Sequence, residues 1–200
     1  MAASLFESRK TLEEYFFRMV QSLVRILEAK DRYTQGHSER VGLYAQQIAL
    51  KMGISEDQAD LLRKAGELHD IGKLAVHDHI LNKAGALTAD EWEIIRRHPV
   101  TGAEALKPVC FPEIIMTSIY SHHERPDGQG YPQQLQGDQI SIFAQIIAVA
   151  DAYDAMTTNR PYRQAMDKKS ALEELRRHVG TQFHADVVWA FVGLQQDAGK

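Results

Sequence analysis

Cysteine is almost missing from this chain, with Cys110 the only one in 200 residues. No intramolecular disulfide can form, and a zinc cage built of thiolates is excluded. Cys110 itself reads as a small core residue. Long apolar runs are missing too: nothing approaches the roughly 20 consecutive apolar residues of a membrane span, and no basic segment at the N-terminus leads into one. The chain is therefore read as cytoplasmic. Positive charge is not in excess, since 23 Lys and Arg against 27 Asp and Glu leave a net charge of -4 and a pI near 6.1. That balance argues against DNA or RNA as partners, while a small phosphate ligand held by local charge fits it. Strand-like alternation, internal repeats and low-complexity segments are absent as well. What is there is 44% hydrophobic and 25% charged, enough for one globular domain, and the expected fold is all-α.

Leu12, Phe16, Met19, Val20, Leu23, Ile26 and Leu27 recur at three and four, a helical stripe from about Leu5 to Ala29. It predicts an N-terminal helix within residues 1–30, serving as a linker or for dimerisation, ahead of a domain over 31–200. Its apolar face needs a cover: it packs on the body of the domain, pairs with a second copy in a homodimer, or leads from a regulatory domain with its own partners, and some of each is expected. Further helices are expected from Ser38 to Met52, stopped by Gly53, and from the capping pattern Ser55-Glu56-Asp57-Gln58 to Leu68. Thr88-Ala89-Asp90-Glu91 repeats that pattern and starts a helix that Pro99 should break at His98. Pro112 suits the first position of the next helix. Ile140 to Met156 is apolar almost all round and should be the central buried helix, and two closing helices follow, near Lys169–Val179 and Ala185–Leu194. Between Arg125 and Asp138 turn formers dominate, while Tyr131 and Leu135 give that loop something to bury.

The chemistry gathers at Leu68-His69-Asp70-Ile71-Gly72-Lys73. An imidazole binds one metal ion, whereas the aspartate beside it can use its two oxygens separately and bridge two. A lone His-Asp pair at a helix end is usually a cap or a surface pair. Here His37, His98, His122, His123 and Asp151 supply the company a metal site needs. Neighbouring side chains on a helix diverge by about 100°, so His122 and His123 can share a metal only where their helix ends. Asp151 sits inside the apolar helix, where a carboxylate is costly unless paired or metal-bound. His77, His79, His178 and His184 read as surface or cap residues.

These residues fall into motifs that resemble the HD-GYP family, a branch of the HD-domain phosphohydrolases that cleaves cyclic di-GMP. The motifs are Thr34 to Arg40, His69 to Lys73, Leu87-Thr88 to His98-Pro99, His122-His123-Glu124-Arg125, Asp127 to Pro132, and Asp151 to Thr157, in the family's order over about Tyr33 to Val192. The resemblance implies an HD-domain helical bundle with an ordered Gly-Tyr-Pro loop and two divalent ions, iron foremost and manganese the other candidate. It implies that His37, His69, Asp70 and Asp151 bind one ion, that Asp70, His98, His122 and His123 bind the second, and that Lys73, Arg160 and Arg163 contact the substrate. Asp70 and Lys73 are the expected catalytic pair. The donors agree, since nitrogen and oxygen ligands without a thiolate suit iron or manganese. A bridged metal pair supplies a nucleophile from water at neutral pH and offsets phosphate charge, which would yield linear pGpG and, if hydrolysis continues, GMP. Tyr33 stands where some members carry a ligand glutamate, so two ions are expected, not three. The competing readings are an HD-type di-iron oxygenase and a non-catalytic cyclic dinucleotide signalling module. The first lacks the Gly-Tyr-Pro loop with its arginine pair, and the second often lacks ligands present here.

Overall fold

A computed structural model describes residues 2–30, 35–159 and 164–197, with side chains from Thr11 onward. They form an all-α bundle with no sheet among the described residues, and the only β features are isolated bridges at Asp127–Gln136 and Val179–Phe183. In chain order the helices are α1 (Ala2–Lys30), α2 (His37–Lys51), α3 (Glu56–Leu68), α4 (Asp78–Leu81), α5 (Ala89–Arg96), α6 (His98–Leu106), α7 (Glu113–Ser121), α8 (Ile142–Thr157), α9 (Lys168–Arg177) and α10 (Ala185–Asp197). Tyr33, Arg160 and Arg163 lie outside the described residues.

Helix α8 is the axis of the bundle. Ala144, Ile146, Ile147, Val149 and Ala150 are fully buried on it, and α2, α3, α7, α9 and α10 pack around it. Both predicted caps form: Ser55 accepts from the Gln58 N–H, and Thr88 makes a reciprocal capping box with Glu91. Proline separates α5 from α6 as expected, but a new helix opens at His98 itself, with Pro99 in its first turn where no N–H is required. Pro112 is not the first helical residue. Its ψ of 147° is extended, and it precedes α7.

One further reading is corrected and one is refined. Cys110 is exposed, not in the core, because it takes a left-handed conformation (φ 55°) where the chain turns after Lys107–Val109. The stripe on α1 is two faces. Phe17, Val20, Val24 and Leu27 are buried against the body, while Leu12, Phe16, Met19, Leu23 and Ile26 are exposed.

Past α3 the chain tightens into a 3-10 turn over Ile71–Ala75 that rests on α6. Gly72 makes this contact possible, because a β-carbon there would overlap the carbonyl oxygen of His98. Only glycine lets the His69-Asp70 corner approach the start of α6 so closely.

Candidate metal centre

Three histidines reach the centre by the same local device. His69 follows α3, His98 follows α5 and His122 follows α7, each at a helix end. Each ring turns back and donates its Nδ1–H to the carbonyl three residues earlier: His69 to Gly66 at 2.8 Å, His98 to Ile95 at 2.7 Å, His122 to Ile119 at 2.8 Å. The same bond fixes the tautomer and aims the Nε2 lone pair inward. His37 arrives at the opposite kind of end, as the first residue of α2, and its Nδ1 donates to Asp154 at 2.7 Å.

Asp70 lies between two sets of donors and divides its oxygens between them. Its Oδ2 is 3.4 Å from His69 Nε2 and 3.9 Å from His37 Nε2, while Oδ1 is 3.2 Å from His98 Nε2. His98 Nε2 is in turn 3.2 Å from His122 Nε2. Asp70, His98, His122 and His123 form one group able to hold a metal ion, and His37, His69 and Asp70 form another. Asp151 reaches the second group through Oδ1, 3.3 Å from His37 Nε2. All seven residues expected at a metal site are thus brought together, with Asp70 common to both groups. Lys73 pairs with Asp70 Oδ2 from the following turn and is still partly open to solvent.

The donor set fits divalent cations. With their Nδ1 hydrogens committed to carbonyls, His98 and His122 point bare Nε2 lone pairs at each other, an arrangement that repels unless a cation lies between them. His69 Nε2 and Asp70 Oδ1 are buried with no hydrogen-bond partner among the described residues, and such orphaned atoms are costly unless an ion satisfies them. Burial, and then the neighbouring His123, holds His122 well below the ordinary histidine range, and burial with His98 pushes His123 down to about 3. These rings stay neutral, as metal ligands must. Burial would raise Asp70, but the Lys73 ammonium holds it ionised, and Asp151 is held ionised by His37 against the same penalty.

The sequence did not single out the residues that orient His37. Asp154 is more deeply buried than Asp151, accepts from His37 through Oδ2, and is held by Arg40, whose Nε and Nη2 donate to its two oxygens at 2.6 and 2.9 Å. Glu28, near the end of α1, accepts from the backbone N–H of Gly36 at 2.9 Å and of Ser38 at 2.8 Å, and so clasps the start of α2 around His37. Two aspartates three apart on an apolar helix were the available signal for Asp154. For Glu28 there was none. His77 and His79 stack on each other at the start of α4, His178 ends α9, and the His184 carbonyl accepts the first backbone bond of α10; none of the four belongs to a metal-holding group among the described residues.

The sequence profile of the HD domain matches residues 21–187. The chain belongs to the HD-domain family. Within it, the resemblance to the HD-GYP branch holds, and so does the all-α HD bundle. The 3'3'-cGAMP-specific phosphodiesterase 2 of Vibrio cholerae is 37% identical over 179 residues, covering 88% of this chain and 34% of that protein. The cyclic di-GMP phosphodiesterase of Thermotoga maritima is 38% identical over 202 aligned positions, covering 96% of this chain and 55% of that one. The chain thus spans about half or less of these curated relatives. In fold, an HDG"Y"P protein of Bdellovibrio bacteriovorus is similar with a TM-score of 0.70 at 20% identity, over 98% of this chain and 68% of that one. No helix among the described residues is long and apolar enough to cross a membrane.

Proposed function

We propose that this chain is a metal-dependent phosphodiesterase that hydrolyses cyclic di-GMP to linear pGpG, and onward to GMP where hydrolysis continues, in the cytoplasm. One observation carries the reading: Asp70 turns one oxygen to His37 and His69 and the other to His98, which is how a carboxylate bridges two cations. His37, His69, Asp70 and Asp151 would hold one ion, and Asp70, His98, His122 and His123 the other, with iron the first choice and manganese the second. Bound there, divalent ions supply a nucleophile from water at neutral pH and offset the charge of the scissile phosphate.

The chain's own part is to fix the donors and to bind the substrate. The carbonyls of Gly66, Ile95 and Ile119 and the carboxylate of Asp154 hold four imidazoles in the metal-binding tautomer. Lys73, within reach of Asp70 and of solvent, donates to a phosphate oxygen. Arg160 and Arg163 contact phosphate or guanine. Substituting either by alanine should weaken substrate binding by about 1.5–3 kcal/mol, one charge-assisted contact, with metal content unchanged. Equal affinity in both variants would place them on the surface.

The Vibrio cholerae relative favours 3'3'-cGAMP as the competing substrate. Purified chain loaded with iron or manganese and given each dinucleotide separates the two by the rate of linear product. Asp70→Ala should show neither bound ions nor turnover. No turnover of either dinucleotide by chain carrying its full complement of ions would sink the proposal.

A further inference from the structure

His123 is the exception among the clustered histidines. His37, His69, His98 and His122 each have a ring nitrogen pinned by an oxygen, whereas the His123 ring makes no hydrogen bond among the described residues. It is held by ring contacts instead. His122 lies 4.1 Å away between centroids, His98 at 5.0 Å edge-on, and Tyr131 at 4.7 Å with only 31° between the planes. His98 and His122 belong to the same donor group, so among the described residues Tyr131 is the aromatic ring from outside that group that packs on His123.

The loop carrying Tyr131 is built to keep it there. The Tyr131 N–H donates to the His123 carbonyl at 3.2 Å. Gly130 lies directly on the backbone of residues 123–125, where a β-carbon would overlap His123, Glu124 and Arg125. Glu124, buried beside His123, accepts from the backbone N–H of Gln133 at 2.6 Å and of Leu135 at 3.0 Å. That strut ties the segment just after Tyr131 to the end of α7. Arg96, from α5, lies over the Tyr131 ring at 5.8 Å.

We propose that Tyr131 is the positioning residue of His123, acting through the face of its ring, and that Glu124 is the strut that keeps the ring in place. The proposal rests on the metal-centre reading. A ligand imidazole without a hydrogen-bonded nitrogen can rotate and exchange tautomers, and packing against a fixed aromatic plane removes that freedom. Because the ring face acts and not the hydroxyl, phenylalanine should serve in its place.

The test is competition of Mn²⁺ against a chromophoric chelator, with ions counted per chain, on the whole chain and its variants. The unsubstituted protein should bind two ions and Tyr131→Phe should match it within about threefold. In Tyr131→Leu one ion should be retained at full affinity, and the other should weaken by about 10–100-fold, the usual effect of losing an outer partner of a ligand. Glu124→Gln should weaken the same ion, because an amide cannot accept from both backbone groups. In a His123→Ala background Tyr131→Leu should add nothing. Unchanged affinities in Tyr131→Leu, equal losses in the Phe and Leu variants, or loss of the helical circular dichroism signal in Tyr131→Leu with Glu124→Gln unaffected would each overturn the proposal. Absence of bound ions in the unsubstituted protein would instead sink the metal-centre reading itself.

Discussion

His37 holds its proton by a balance that a single substitution can move. Burial works against its charge, yet hydrogen bonds to Asp151 and Asp154 raise it to about 9. Unfolded, the ring would titrate near 6.5. The folded state therefore binds the extra proton between about 6.5 and 9, so its stabilisation is complete below 6.5 and lost as the pH rises through 9. Chelator-treated protein should lose on the order of 3 kcal/mol across that window by this route, read as a falling denaturation midpoint. Asp154→Asn should flatten the fall, and an equally steep slope in that variant would show that another group is titrating. Metal affinity should run the opposite way and tighten with pH, because the ion needs the neutral ring. The candidate donors were legible in the sequence because histidine and aspartate carry their chemistry in their identity. Asp154, Glu28 and Glu124 were not, since a carboxylate that orients a partner looks like any other until the contact across 117 residues, as for Asp154 and His37, is formed.

At the scale of the element, helix ends account for the centre: α3, α5 and α7 finish by presenting His69, His98 and His122, and α2 begins with His37. Pro99 and the turn formers after Arg125 made two of these ends legible, while the caps at Ser55 and Thr88 marked where α3 and α5 begin. Helix α6 was hidden because it opens at His98 directly after the break before Pro99, and the 3-10 turn after Asp70 because its shape depends on Gly72 meeting His98. The clasp of Glu28 on Gly36 and Ser38 gives α1 a hold on the start of α2. Removing it with Glu28→Ala frees two N–H groups at a helix N-terminus and should cost about 0.5–2 kcal/mol, as loss of a cap does. Because His37 lies between the two donors, that variant should also bind its ion more weakly, while keeping the one at His98 and His122. Denaturant melts with parallel metal titrations check both. A drop in stability with both affinities intact would limit Glu28 to folding.

For the whole molecule, the unanswered surface is the outer face of α1. Leu12, Phe16, Met19, Leu23 and Ile26 are all exposed and spaced four, three, four and three, the a/d period of a coiled-coil seam, while Phe17, Val20, Val24 and Leu27 repeat that period on the buried side. Two interleaved seams of equal period cannot be assigned by spacing, which is why the sequence blended them into one stripe. Large apolar side chains aligned on one helix face mark an interaction surface. A second copy is the simplest occupant, because the same seam on a parallel α1 supplies matching knobs and holes, and the body-facing residues stay engaged. The expected result is a dimer in sedimentation velocity. Met19→Lys with Ile26→Lys should turn it into a monomer, with unchanged helical content because neither side chain touches the core. A monomer before substitution, or a dimer that survives both lysines, would remove the seam from the interface.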